Sequence, residues 1–327
     1  MKVAFFEVNE WEPVALRKSF SRPVIESREI QNALGKAKNC GAISVFVNSR
    51  VSKEILQKLP RLKLIATRST GFDHIDMDYC KKRNIKVCNV PSYGKHTVAE
   101  HAFALLLTLS RKMEQAVKST RAGKFDPSGL TGFDLCGKTI GVIGTGSIGV
   151  HSIQIACGFG MNVIAYDAYP NKSLAKNFKY VSLPKLLSQS DIVTIHLPLL
   201  KNTFHLLNKK NLSRMKKGAI LINTSRGALV DTDALVDSLK KGNLAGAGLD
   251  VLEEELIMKD ESTILYTKFT PRQLRTAVEE HALLQMENVI ITPHNAFNTK
   301  EALARIMSQT IENIKSFQKG KLINEVN

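Results

Sequence analysis

"TIGVIGTGSIGVHSIQIACGFGMNVIAYD", residues 139–167, decides how the chain is read. Gly144, Gly146 and Gly149 stand in G-x-G-x-x-G spacing, which alone is a weak signal. Here an apolar strand precedes the glycines, an apolar helix follows, and a second strand ends at Asp167, eighteen residues past Gly149. That context predicts a dinucleotide-binding βαβ unit. Gly144 permits the tight turn, Gly146 lets the backbone approach a pyrophosphate, and Gly149 lets the helix pack on the strand. The pyrophosphate then meets the free amides at the helix start, around Thr145, Ser147 and Ile148. Asp167 is expected to accept from the ribose hydroxyls of NAD and to repel the extra phosphate of NADP.

Bulk properties set the frame around this unit. At 327 residues the chain is about two typical domains long. Its 43% hydrophobic and 23% charged content is that of a soluble globular protein. No apolar run reaches the roughly 18 residues of a membrane helix, so no membrane partner is expected. The opening "MKVAFFEVNE" turns acidic after a short apolar run and reads as a first strand, not a signal peptide. Five cysteines, at 40, 80, 88, 136 and 157, form no CxxC pair. They predict a reduced, cytoplasmic setting without a metal cluster. The net charge of +16 raises nucleic-acid binding as a reading. The lysines are scattered rather than gathered in a basic tract, so the expectation is a basic solvated surface favouring an anionic cofactor and substrate, with no nucleic acid.

Short apolar strands alternate with helical stretches, which predicts α/β units on parallel sheets. "KVAFFEV", "AISVFV", "LKLIAT" and "IKVCNV" are the strands of a first series. Residues 97–123 read as one long helix ended by Gly123, apolar almost all round in its first half and so buried. "TIGVIG", "NVIAYD", "DIVTIHLP", "AILINTS", "AGAGLDVL" and "NVIITPH" make a second series. A last helix near 299–318 then returns to the first domain. The expected fold is α/β with two doubly wound parallel-sheet domains. A Rossmann NAD-binding domain, 98–297, is inserted into a flavodoxin-like substrate domain, 1–97 and 298–327. Residues 255–288 make a long interval between two strands, and "PRQLRTAVEEHALLQM" within it reads as a helix.

Three polar residues lie at or just past strand ends: Arg226 after "AILINTS", Glu255 five residues beyond Asp250, and His294 after "VIITP". In doubly wound sheets the ligand crevice lies outside those ends. Each has an ordinary reading too. Arg226 could bond loop carbonyls, His294 could satisfy a turn, and Glu255 sits in a run where Glu253 and Glu254 compete with it. The chemistry links the three. A nicotinamide can deliver hydride to the carbonyl carbon of a 2-oxo acid. A protonated histidine backed by a carboxylate can protonate the oxygen, and an arginine fork can hold the substrate carboxylate or polarise the carbonyl.

The glycine motif, "NTSRGALVDTDAL", "GAGLDVLEEE" and "VIITPHNAF", with "TRSTGFDHIDM" and "VPSYGKHTVAEHAF", together resemble the D-isomer-specific 2-hydroxyacid dehydrogenases over essentially the whole chain. Within that family the long interval before His294, and Phe297 after it, look like the NAD-dependent D-lactate dehydrogenase group. The resemblance implies Arg226, Glu255 and His294 as the catalytic trio. It implies substrate contacts from the amides of Thr70 and Gly71, from Tyr93, and from Phe46 and Phe297 as walls, besides Arg226. Phe46 stands where relatives often carry a tyrosine. For NAD it implies Asp250 near the carboxamide and Thr224 and Ser225 near the nicotinamide ribose. His196, Pro198 and Thr203 fall on the adenosine side, and His294 and Ala296 lie along the cofactor. A homodimer is also implied. Pyruvate and D-lactate are the first substrate pair expected. The alternatives are 2-oxo-4-methylpentanoate, phenylpyruvate, glyoxylate or hydroxypyruvate, and phosphite. From a different class, a corepressor that senses NAD is the remaining reading.

Overall fold

The computed structural model describes residues 1–176, 178–259 and 269–327. The middle of the long interval, 260–268, lies outside the described residues. The chain divides into two compact units, Met1–Tyr93 with Thr299–Asn327, and Gly94–Asn298.

The first unit is built on β1 (Val3–Phe5), β2 (Val24–Ile25), β3 (Ala42–Val45), β4 (Leu64–Thr67) and β5 (Lys86–Cys88), all parallel in the order β2-β1-β3-β4-β5. The strand pattern explains why. Ala4, Ile43, Val45, Ile65 and Val87 point to one buried cluster. The alternate residues Val3, Phe5, Ala42, Leu64 and Ala66 point to another. Both faces are apolar because both are covered, as parallel sheets require. The helix Lys300–Gln318 contributes Met307 and Ile314 to the second cluster. Thr299 caps it, accepting from Ala302 N at 3.2 Å, and Asn313 Nδ2 donates to Asn89 O at 2.8 Å. The last helix therefore belongs to this unit. β2, two half-buried residues at the sheet edge, was not anticipated.

The second unit carries β6 (Thr139–Ile143), β7 (Asn162–Tyr166), β8 (Lys179–Tyr180), β9 (Ile192–Ile195), β10 (Ala219–Asn223), β11 (Leu244–Leu249) and β12 (Val289–Ile291). They form one parallel sheet in the order β12-β11-β10-β9-β6-β7-β8. The connectivity reverses between β6 and β9, and the exits of those two strands form the switch point. β8 is again a two-residue edge strand the sequence pattern did not signal. The helical reading of "PRQLRTAVEEHALLQM" holds: the helix spans Pro271–Leu284 and starts with a capping box between Thr270 and Gln273.

The expected single helix over 97–123 is two helices, Lys95–Ser110 and Met113–Arg121. Lys112 interrupts them with φ of 46°. The returning chain explains the break. Phe133 N takes the Ser110 carbonyl at 2.9 Å, and Lys112 Nζ takes Gly129 O at 2.8 Å. A Cβ on Gly132 would lie 2.1 Å from Ser110 O, so only glycine admits this crossing. The first helix is buried as expected, packed on β11 where Gly248 leaves room: a Cβ there would stand 2.8 Å from Ile222 Cδ1 and 2.9 Å from Leu105 Cβ. Gly248→Val should therefore overpack this layer and cost about 1–3 kcal/mol. The measurement is urea unfolding, with a lowered midpoint at similar slope expected and an unchanged midpoint counting against the packing account.

Candidate active site

At the exit of β6 the three glycines have distinct physical reasons. Gly144 has φ of 94°, and a Cβ on it would lie 2.4 Å from the His196 carbonyl oxygen. A Cβ on Gly149 would lie 1.9 Å from Gly144 O, so the helix Ser147–Gly158 seats against the turn only with glycine there. Above Gly146 a Cβ would meet open space. That is the room a ligand needs to reach the backbone. The same helix has no side-chain cap, so its first amides, from Ser147 on, keep no intrahelical acceptor.

Asp167 stands at the end of β7. Its Oδ2 accepts from Thr145 N at 2.7 Å and Thr145 Oγ1 at 3.0 Å, and Oδ1 accepts from Tyr169 N at 2.9 Å. Partial burial alone would raise its pKa, but these bonds outweigh it and hold the carboxyl below its usual range. Oδ1 keeps a lone pair for a ligand hydroxyl. Tyr180, which the motif did not include, joins through its hydroxyl 2.9 Å from Thr145 Oγ1.

The loops after β9 and β10 supply two unsatisfied buried atoms, His196 Nδ1 and Thr224 Oγ1. Burial pushes the His196 pKa down to about 4, so this ring is neutral near pH 7. Unpaired polar atoms in a folded interior are costly. With the space above Gly146 and the free amides, they fit a polar cofactor such as NAD. Thr203 Oγ1 accepts from Leu200 N at 2.7 Å and donates to Pro198 O at 2.8 Å, fixing the turn past the exposed Pro198. Ser225 Oγ is committed to Ile195 O at 2.7 Å. Arg226 donates from its guanidinium to Ser225 O at 2.8 Å, and its carbonyl receives Asn223 Nδ2 at 2.9 Å. Gly227 then passes so close to the next loop that a Cβ would lie 2.0 Å from Leu252 C. The Arg226 loop and the loop bearing Glu255 are thereby packed backbone on backbone.

His294 has φ of 51°, in the left-handed region uncommon outside glycine. Its amide donates to Asp250 O at 2.8 Å and Thr292 O at 2.9 Å. The following amides go to the Asp250 carboxylate, Asn295 N to Oδ1 at 2.7 Å and Ala296 N to Oδ2 at 2.8 Å. The ring meets Glu255 at Nδ1–Oε2 3.0 Å. Glu255 also accepts from Leu252 N at 3.2 Å. The neighbouring glutamates are engaged elsewhere: Glu253 accepts from His205 Nε2 at 2.8 Å and Thr232 Oγ1 at 3.0 Å, and Glu254 from Gln273 Nε2 at 3.3 Å. Among the three, Glu255 is the partner of His294. Phe297 stands edge-on to the His294 ring, centroids 6.4 Å apart.

The expected substrate residues Phe46, Thr70, Gly71 and Tyr93 lie in the first unit. Phe46 N donates to Glu7 Oε2 at 2.9 Å, and the Arg68 guanidinium lies 5.8 Å from its ring centroid. Thr70 donates its hydroxyl to Val90 O at 2.9 Å and accepts Asn89 Nδ2 on its carbonyl at 2.8 Å. Ser69 Oγ holds Gly71 O at 2.6 Å. Those bonds pin both carbonyls of the loop. Tyr93 O receives Arg305 Nε at 2.9 Å.

Residues 103–296, which include the glycine turn, Arg226, Glu255 and His294, match the family model of the D-isomer specific 2-hydroxyacid dehydrogenase NAD binding domain. The chain belongs to the D-isomer-specific 2-hydroxyacid dehydrogenases. A D-lactate dehydrogenase of Escherichia coli (strain K12) is 37% identical over 331 residues, covering 98% of each chain. A D-lactate dehydrogenase of Aquifex aeolicus, solved with NAD and lactic acid, superposes with a TM-score of 0.90 at 38% identity. It covers 98% of this chain and 96% of its own. An aromatic 2-oxoacid reductase of Clostridium sporogenes is 36% identical over 296 residues, covering 88% of this chain and 86% of its own. This dehydrogenase is thus an NAD-dependent oxidoreductase acting between 2-oxo acids and D-2-hydroxy acids.

Behind the loop that bears Glu253–Glu255 lies a group the motifs did not reveal. Glu280, fully buried on the helix Pro271–Leu284, accepts from Glu253 N at 2.6 Å and Glu254 N at 3.1 Å, while its Oε2 has no partner. Burial pushes its pKa up to about 7, against the pull of the two amides. A carboxyl whose folded pKa exceeds its unfolded value binds its proton more tightly in the native state. Its contribution is full in acid and declines as pH rises from 4.5 to about 7. Glu280→Gln cannot ionise, so wild type should lose stability relative to it by up to roughly 3 kcal/mol between pH 5 and pH 8. Urea unfolding of both proteins across that range is the measurement. A difference that stays constant with pH contradicts the assignment.

Proposed function

We propose that this dehydrogenase reduces pyruvate to D-lactate with His294 as proton donor, and that Arg226, Glu255 and His294 are its catalytic residues. The observation that carries the proposal is the His294–Glu255 pair on a loop locked by Asp250. When bound, NADH supplies the hydride that reduces the carbonyl carbon. Glu255 occupies Nδ1 and orients the ring, leaving Nε2 as the nitrogen that gives its proton to the substrate oxygen. Arg226 stabilises charge on that oxygen and on the carboxylate. The net change is 2-oxo acid, NADH and a proton to D-2-hydroxy acid and NAD.

The domain roles follow the same reading. The inserted unit, 98–297, binds NAD through Gly144, Gly146, Gly149 and Asp167. The outer unit, 1–97 with 298–327, supplies the amides of Thr70 and Gly71 for the carboxylate, with Tyr93 and Phe46 as further substrate contacts. Phe297 on the His294 ring supports tolerance of larger apolar side chains, as does the likeness to an aromatic 2-oxoacid reductase. The free thiols of Cys40, Cys80, Cys88, Cys136 and Cys157 support the reduced, cytoplasmic setting. A homodimer completes the proposal by analogy with the family.

His294→Ala should lower turnover by roughly 10²–10⁴-fold while NADH still binds, read by steady-state rates and NADH fluorescence titration. Retained turnover would sink the proton-donor role. Across pyruvate, 2-oxo-4-methylpentanoate, phenylpyruvate, glyoxylate and hydroxypyruvate, the highest kcat/KM is expected with pyruvate, and a clear preference for another acid would reassign the substrate. NADH should be preferred over NADPH because Asp167 faces the site where the extra phosphate would lie. Equal kcat/KM with both cofactors contradicts that placement.

A further inference from the structure

The helix Lys95–Ser110 is apolar on almost every side, yet one polar ring on it reaches the loop after β12. His101 Nε2 lies 3.0 Å from Thr292 Oγ1 and 3.3 Å from Asp250 Oδ1. We propose that His101 is a positioning residue for the reaction, its Nε2–H fixing Thr292 and Asp250 in the arrangement that presents His294. The proposal rests on His294 being the proton donor.

Proton accounting sets the state of the ring. Thr292 has a single hydroxyl proton and donates it to Asp250 Oδ1. Its oxygen is therefore an acceptor toward His101. Asp250 is also an acceptor. Burial raises its pKa, but the bonds from His101, Thr292, Ala296 and Asn295 outweigh that and hold the carboxyl below its ordinary range. Both groups facing Nε2 lack a proton to offer, so Nε2 carries the hydrogen.

The ring is anchored as a positioning device should be. Val98, Ala102 and Leu105, one turn away or adjacent on the same helix, are buried. The His101 side chain itself is 19% exposed. From this fixed point the bonds run to Thr292, two residues before His294, and to the carboxylate that takes Asn295 N and Ala296 N, the two residues after it. The loop between those anchors holds a non-glycine residue at positive φ, a conformation that persists only when its surroundings enforce it. Removing the Nε2–H takes one bond from Thr292, whose hydroxyl still donates to Asp250, and withdraws one donor from a buried carboxylate. His294 then leaves the geometry that faces the substrate oxygen, with binding of NADH at the glycine turn untouched.

The test compares His101→Leu, which deletes the donor, with His101→Gln, whose Nε2 amide replaces it. His101→Leu should lower kcat about 10–100-fold, the scale of an ångström misplacement. Its Kd for NADH should move far less, and His101→Gln should recover most of the lost kcat. Thr292→Val, nearly isosteric, removes the acceptor from the other side and should give the same kcat-weighted loss, which keeps the test valid if the leucine variant folds poorly. Wild-type kcat in His101→Leu or in Thr292→Val overturns the proposal, as does a glutamine variant that folds but is no better than leucine. His294→Ala is measured alongside. If it retains turnover, the proton-donor reading has failed. If it is inactive while His101→Leu is fully active, the positioning role alone has failed.

Discussion

Asp250 is 1% exposed and ionised, and such a group is tolerated in a protein interior only when donors surround it. Here they do: two backbone amides, a threonine hydroxyl and an imidazole N–H converge on its two oxygens. The consequence reaches beyond its own stability. Three of those donors come from the segment Thr292–Ala296, so satisfying the carboxylate also dictates the path of the chain through His294. The left-handed backbone of His294 follows from that path. With the ring thus aimed, Glu255 meets its Nδ1 and leaves the other nitrogen for the proton transfer proposed above. Those donors still leave one lone pair on Oδ2 for the carboxamide contact the family resemblance suggests.

The sheet makes this arrangement possible. β10, β11 and β12 are consecutive neighbours, so the loops that leave their carboxyl ends start side by side. Close backbone approaches then draw them together. Gly227 lets the Arg226 loop rest on the Leu252–Glu253 backbone, and the buried Glu280 carboxyl grips the amides of Glu253 and Glu254 from behind. At the switch point itself the same device recurs, with Gly149 against Gly144 and Gly144 against His196. The glycine turn and the Arg226 loop are each positioned by backbone contacts that no larger residue permits.

Much of this was legible in the chain because the informative features are local. A glycine spacing, a strand and an aspartate lie within 29 residues, 139–167, and the apolar runs that became β3, β4, β9 and β10 are fully buried strands. What escaped was set by contacts distant in sequence. β2 and β8 are two residues long and hold their places as edge partners of longer strands. The break at Lys112 depends on a crossing by Gly132, about twenty residues on. Local pattern leaves three consecutive glutamates open; the resemblance chooses Glu255, and its contact with His294, 39 residues away, agrees with that choice. His101 sits 191 residues from Thr292 and looks like one more position on an apolar helix. It lies within "VPSYGKHTVAEHAF", but nothing local to that stretch points to Thr292 or Asp250.

On this account the Asp250 carboxylate holds the loop that carries His294, the proposed proton donor. Asp250→Asn keeps the shape but replaces one acceptor oxygen with a donor that must oppose a backbone amide or the Thr292 hydroxyl. Its kcat, measured beside its Kd for NADH, is the most direct test. The claim predicts that kcat falls at least about tenfold, more than the affinity for NADH does. A variant with wild-type kcat and weakened NADH binding would show that Asp250 serves the cofactor and not the loop.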